Sequence, residues 1–231
     1  MTSLKGLLWH LLLVWLLLFV LYQLWLFAHI CWWIKFNPAS SSFMADRLEV
    51  MQDRNPDAEL KHKWVPYNAI SNNLKRALIA AEDAKFVDHE GFDWEGIAKA
   101  YQKNLKKGRI VAGGSTISQQ LAKNLFLSTK RTPWRKAEEA LITLMLEAVM
   151  DKRRIFEIYL NVIEWGDGVF GAEAAARHYF GVRASQLTAE QAARLAAMAP
   201  NPRYYDRHRQ ASGMLAKTLI ILERMPDAEI P

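Results

Sequence analysis

From Gly6 to Ile34 the chain carries no charged side chain. The stretch reads GLLWHLLLVWLLLFVLYQLWLFAHICWWI, and as one helix it would extend ~43 Å at ~1.5 Å per residue. Crossing the hydrocarbon core of a bilayer takes only ~20 apolar residues. A cleaved signal peptide has an apolar core of roughly 7–15 residues followed by small side chains. Here the run is far longer, and bulky Trp32, Trp33 and Ile34 stand where small residues would be needed. A core helix rarely continues this far without a charge. Trp9 near one end and Trp32 and Trp33 at the other match the aromatic belts of membrane interfaces. Residues 1–43 therefore read as a short tail, an uncleaved anchor and the start of a linker, and residues 44–231 as a domain of their own. Lys5 before the span and Lys35 after it give almost no charge bias. Short N-terminal tails usually stay cytoplasmic, which would put the large domain outside. The single cysteine, Cys31, lies in the span, so no disulfide framework is expected.

The remainder is long enough to bury a core without staples. With 51% apolar residues overall, a disordered chain or a collagen-like repeat is excluded. Residues 36–48 (FNPASSSFMADRL) read as the linker, with Pro38 and a serine run as the break. Beyond them the 3.6-residue period dominates. It predicts helices near 71–84, 94–107, 115–127, 133–151, 154–163, 171–179, 189–199 and 209–224. Ser115 and Thr116, Pro133 and Thr188 sit where helix starts want them, and Pro200-Asn201-Pro202 stops the penultimate helix. Alternating patterns are scarce. The domain is predicted to be mainly α.

Charge is distributed unevenly around the net +6. Between Glu95 and Glu138 there is no acidic residue, yet Lys99, Lys103, Lys106, Lys107, Arg109, Lys123, Lys130, Arg131, Arg135 and Lys136 all fall there. A solvated helix face is the ordinary use of such a run. A block this one-sided also sustains a positive potential that an anionic membrane surface, a phosphorylated substrate or nucleic acid could use. Beside an anchor the first two are the natural partners, and no nucleic acid is expected.

Three local features could carry chemistry. Glu82 and Asp83 are adjacent carboxylates next to Leu78, Ile79 and Phe86, where poor solvation of one would raise its pKa toward general-base work. An exposed helix end is the plainer reading. Gly113-Gly114-Ser115-Thr116 places a glycine pair at a helix start, an arrangement suited to anions, although it lacks the Lys-Ser ending of a nucleotide-binding loop. Lys123, Arg131 and Glu139 put two cations upstream of another carboxylate, with Gln119 and Gln120 in the same helix as Lys123. Ser-x-x-Lys, HExxH and GxSxG are absent, and so is any paired Cys/His set. His62, His89, His178 and His208 read as packing or capping residues.

With those residues in view, the chain resembles the monofunctional biosynthetic peptidoglycan transglycosylases, the anchored family 51 glycosyltransferases that polymerise lipid II. The resemblance rests on five segments in order: EDAKFVDHEG (82–91), GGSTISQQLAKN (113–124), RKAEE (135–139), RRIFEIYLNVIEWGDGVFGAEAAARHYF (153–180) and EQAARLAAMAPNPRYY (190–205). It implies a lysozyme-like, two-lobed, mainly α glycosyltransferase domain behind one transmembrane helix, without transpeptidase activity. By the same resemblance Glu82 is the catalytic base that deprotonates the acceptor 4-hydroxyl, and Glu139 is the second catalytic carboxylate on the leaving-group side. Asp83, which tunes the base, joins Ser115, Gln119, Gln120, Lys123 and Arg131 as substrate-binding residues, the last two holding the pyrophosphate. Asn161, Tyr159 and Gly166 belong to a mainly structural segment, and the role of Lys152 stays open. A divalent cation, Mg2+ by expectation, would arrive with the pyrophosphate rather than in a metal site of the protein. Implied partners are lipid II, the growing lipid-linked glycan and cell-wall synthesis or division proteins, at the inner membrane with the domain on the periplasmic side. Two alternatives stay open on the sequence: an anchored lysozyme-like lytic enzyme, and an inactive scaffold of the cell-wall machinery.

Overall fold

The computed structural model describes residues 4–109, 111, 113–129 and 132–231. The chain forms two compact units, one running to Asn37 and the other spanning Pro38–Pro231. The first is the helix α1 (Leu4–Trp33), 30 residues long with apolar side chains exposed along its length. It is long and apolar enough to cross a membrane, and an apolar surface on all sides suits lipid better than water.

The second unit is mostly helical, and its start corrects the sequence reading. The expected linker 36–48 contains the beginning of a helix, α2 (Ser42–Gln52). The serine run acts as a cap: Ser41 Oγ accepts from the Met44 backbone N–H at 3.2 Å, and Met44 itself is buried. The following helices are α3 (Asn72–Glu82), α4 (Trp94–Lys107), α5 (Ile117–Phe126), α6 (Pro133–Val149), α7 (Lys152–Val162), α8 (Ala172–Phe180), α9 (Ala189–Met198), α10 (Pro202–Arg207) and α11 (Ser212–Arg224). Most fall within three residues of the predicted bounds. The short α10 was not predicted. Pro202, read as a stop, also opens α10 in its first turn, where the missing N–H is no loss.

Packing is organised around α3, which lies against α9 and α11, and around α5, which lies against α6 and α7. The α9 face is built from Ala192, Ala193, Ala196 and Ala197, all fully buried, and small side chains let helices approach closely. Phe86 and Phe156 meet at 5.4 Å in the core beside α7. Three short strands, β1 (Lys61–His62), β2 (Glu164–Gly166) and β3 (Val169–Phe170), form one sheet in the order β1-β3-β2. The β1–β3 pair is parallel, with Lys61 opposite Val169, and β2–β3 is antiparallel with an irregularity between Glu164 and Gly166.

After β3 the chain must turn sharply into α8. Gly171 does this at φ +80°, where a Cβ would lie 2.6 Å from the Asn161 carbonyl oxygen. Asn161 is fully buried: its Nδ2 donates to the Val65 and Glu157 carbonyls and its Oδ1 accepts from the Val65 N–H. Its part in the fourth segment is thus to tie α7 to the strand region. Lys152, left open by the sequence, pairs with Glu147 at 2.7 Å and lies 4.8 Å from the Phe86 ring centre.

Candidate active site

Helix α3 stops at Glu82, and Asp83 leaves the helical conformation with φ −162° and ψ 75°. That break sends the two adjacent carboxylates to different places. Glu82 is mostly buried, its side chain 12% exposed. Its Oε2 accepts from Gln120 Nε2 at 3.0 Å, while Gln120 Oε1 accepts from Tyr159 Oη at 3.1 Å. One carboxylate oxygen is therefore fixed by a relay from two helices, α5 and α7. The other, Oε1, is buried and has no hydrogen-bond partner among the described residues. Lys217 Nζ stands 3.7 Å from it. Burial pushes the Glu82 carboxyl above the usual carboxylate range; the charge of Lys217, the bond from Gln120 and the charge of Lys123 oppose that rise.

Asp83 does not face the same way. Both its oxygens lie near His89 Nε2, at 3.0 and 3.1 Å, and Oδ2 also accepts from the Ile117 N–H at 2.9 Å. It therefore occupies the start of α5, where a negative charge is favoured. This revises the reading of the Gly113-Gly114 loop as an opening for a bound anion. Thr116 and Gln119 form a reciprocal capping box, so the first turn of α5 is held by the protein's own cap and by Asp83. His89, read as a packing or capping residue, bonds Asp83 and lies edge-on to Phe86.

Next to Glu82's partners opens a cleft of about 570 Å³. Its walls include Ser115, Gln119, Gln120, Lys123 and Glu139, five of the residues singled out in the sequence. Glu82 and Asp83 are not on that wall; Glu82 sits behind Gln120. Arg131 lies outside the described residues. Glu139 is buried and flanked on its own helix by Arg135 at 3.4 Å and by Lys136, an i, i+4 and i, i+3 pair. Lys136 Nζ also reaches Ser115 Oγ at 3.3 Å, linking the second and third sequence segments. Lys123 lies 5.5 Å from the Phe43 ring centre, and among the described residues no carboxylate comes within ion-pair distance of it. Burial lowers its pKa, Glu139 raises it, and Arg135 and Lys136 lower it further.

Several cleft residues were not singled out as site residues in the sequence. Arg135 and Lys136 line it, and Arg135 Nε is buried with no hydrogen-bond partner among the described residues. Their spacing to Glu139 on one helix was a usable signal. Glu164 and Arg203, 3.6 Å apart, also line it. They lie within the fourth and fifth sequence segments, where neither was singled out. Among the described residues no cluster of three His, Cys, Asp or Glu could hold a metal. Glu139 has both oxygens engaged by cations, so the donor set does not fit a divalent ion held by the protein itself.

A buried carboxylate with one unpartnered oxygen, set beside a cleft bearing Lys123, Arg135 and Lys136, suits transfer of a group from an anionic leaving group. The family model described as Transglycosylase matches residues 48–226. Proteins called biosynthetic peptidoglycan transglycosylase are similar over nearly the whole chain. The one from Methylobacillus flagellatus is 70% identical, covering 98% of this chain and 99% of its own. That from Chromobacterium violaceum is 68% identical over 92% and 93% respectively, and that from Herminiimonas arsenicoxydans is 62% identical over the full length of both. The chain belongs to the biosynthetic peptidoglycan transglycosylase family.

Proposed function

We propose that this protein polymerises lipid II into β-1,4-linked glycan strands, releasing polyprenyl diphosphate, with Glu82 as the base. The observation that carries the reading is the unequal treatment of the Glu82 oxygens: Gln120 holds Oε2, and Oε1 has no hydrogen-bond partner among the described residues. In the reaction the acceptor's 4-hydroxyl oxygen attacks the donor's anomeric carbon and its proton passes to Glu82. The bond from that carbon to the diphosphate breaks, and its electron pair leaves with the diphosphate oxygen. Attack opposite the leaving group inverts the donor's α linkage to β. A positioned general base contributes roughly 100- to 10,000-fold in rate.

Charge develops on the leaving diphosphate, so donors fixed beforehand around it stabilise the transition state. Among the described residues Lys123 is a cleft cation with no carboxylate at ion-pair distance, and Arg135 has a buried Nε with no hydrogen-bond partner. In this reading Ser115, Gln119 and Arg131 also belong to the donor site, while Glu139 holds Arg135 and Lys136 in register. A divalent cation, when bound with the diphosphate, would supply further neutralisation there, carried by the substrate. The apolar helix α1 would anchor the chain in the inner membrane, with the catalytic unit on the periplasmic side. Both lipid-linked substrates are then held in the same plane as the enzyme.

The test is incubation of the full-length chain in detergent with fluorescent lipid II and magnesium, followed by gel separation. A ladder of glycan strands with release of polyprenyl diphosphate is expected. Shortening of purified glycan strands, with no ladder from lipid II, would replace the synthase by a lytic enzyme. Neither activity would leave a scaffold.

A further inference from the structure

Lys217 lies on α11, outside all five sequence segments, and its Nζ stands 3.7 Å from Glu82 Oε1. That oxygen has no hydrogen-bond partner among the described residues. We propose that Lys217 is a positioning residue for the transfer reaction: its ammonium favours the ionised Glu82 carboxylate between turnovers while leaving Oε1 without a hydrogen bond. The inference rests on Glu82 being the base.

The surroundings leave Lys217 a distinct part. From α5, Gln120 donates to Oε2, and Lys123 contributes only at longer range. From α7, Tyr159 spends its hydroxyl proton on Gln120. Asp83, next in sequence, is turned to His89 and Ile117. Helix α9 faces α3 with alanines; its Glu190 is exposed, and its Arg194 donates to the Arg209 carbonyl. Asp227, in the turn that follows α11, is exposed. Lys217 is thus the cation at Oε1. At 3.7 Å it is too far for a good hydrogen bond, yet close enough for its charge to act. That separation leaves Oε1 without a hydrogen bond that a substrate hydroxyl would have to displace. Lys217 itself is one-third exposed (34%), and α11 is fixed through buried Met214 and Ile221.

The experiment uses full-length Lys217→Met and Lys217→Arg, read two ways. First, the pH profile of lipid II polymerisation is recorded. An opposite charge within ~4–6 Å lowers a carboxyl pKa by ~1–3 units. Lys217→Met should therefore move the acid limb up by about one pH unit or more. That is a loss of about tenfold on the acid side, with recovery toward wild type at high pH and KM nearly unchanged. Lys217→Arg should restore the wild-type limb. A limb that does not move, or an equal loss at every pH, overturns the proposal.

The second readout needs no turnover. Thermal unfolding at pH 8 is compared for wild type, Lys217→Met, Glu82→Gln and the double variant. Lys217→Met should lower Tm only when Glu82 is present; the same change in both backgrounds overturns the pairing. If Glu82→Gln polymerises normally while this coupling holds, the fault lies in the assignment of the base, not in the pairing.

Discussion

Glu82→Gln should make the protein inactive and more stable at neutral pH. Burial raises the Glu82 carboxyl pKa in the folded state, so the native protein holds this proton to higher pH than the unfolded chain does. Below the ordinary glutamate pKa of ~4.3 both states are protonated, and Gln and Glu should be equivalent in stability. As pH rises from there through the folded-state pKa, the unfolded chain gains more from ionising, and wild type loses stability relative to the variant. Above that range the difference is constant. Each tenfold by which the fold disfavours the ionised form is ~1.4 kcal/mol. For a unit of this size, 1 kcal/mol moves Tm by roughly 2–4 °C. Even a modest penalty is therefore readable. Glutamine keeps the side chain's shape and can still accept the bond from Gln120, now at 3.0 Å to Oε2. A neutral amide in the Oε1 position is also less costly to bury than a charge. The assay is thermal unfolding of full-length wild type and Glu82→Gln in detergent from pH 4 to pH 8. A Tm difference that is flat across that range, or a variant that loses ground as pH rises, would refute the argument.

Substitutions at three other positions probe the surroundings. Lys123→Met should raise KM for lipid II with little change in Tm. Because burial lowers the Lys123 pKa, donor affinity in wild type should decline on the alkaline side earlier than for an exposed lysine; Lys123→Arg should push that decline upward, and an unmoved alkaline limb would count against the role. Asp83→Asn removes the charge at the α5 start and weakens the contact to His89, and should destabilise by about 1–2 kcal/mol in thermal melts while leaving KM near wild type. Gly171→Ala places a methyl against the Asn161 carbonyl at positive φ, and should lower stability by ~2 kcal/mol or more, or prevent folding, as judged by soluble yield and Tm.

The long apolar helix and most others were legible because apolar content, periodicity and caps are local properties. The same locality misled at Ser41, where a serine run can break a chain or start a helix, and only Met44's burial decides which. By resemblance Asp83 stood as the neighbour that tunes Glu82. The backbone break at Asp83 separates them, sending one to Gln120 and the other to the α5 cap. Gln119 and Gln120 looked equivalent, yet one completes a capping box and the other holds Glu82. Lys217 could not have been found this way. It comes to Glu82 across 135 residues of chain through the packing of α11 on α3, and no pattern around it in the sequence records that contact.

The most direct test of the account is initial polymerisation velocity at neutral pH for wild type, Glu82→Gln and Glu82→Asp, with folding of each verified by Tm. The account requires Glu82→Gln to fall by about 100-fold or more despite being at least as stable as wild type, and Glu82→Asp, which keeps the charge but withdraws it from Gln120, to retain only a small residue of activity. A stable Glu82→Gln protein that polymerises lipid II at the wild-type rate would contradict it.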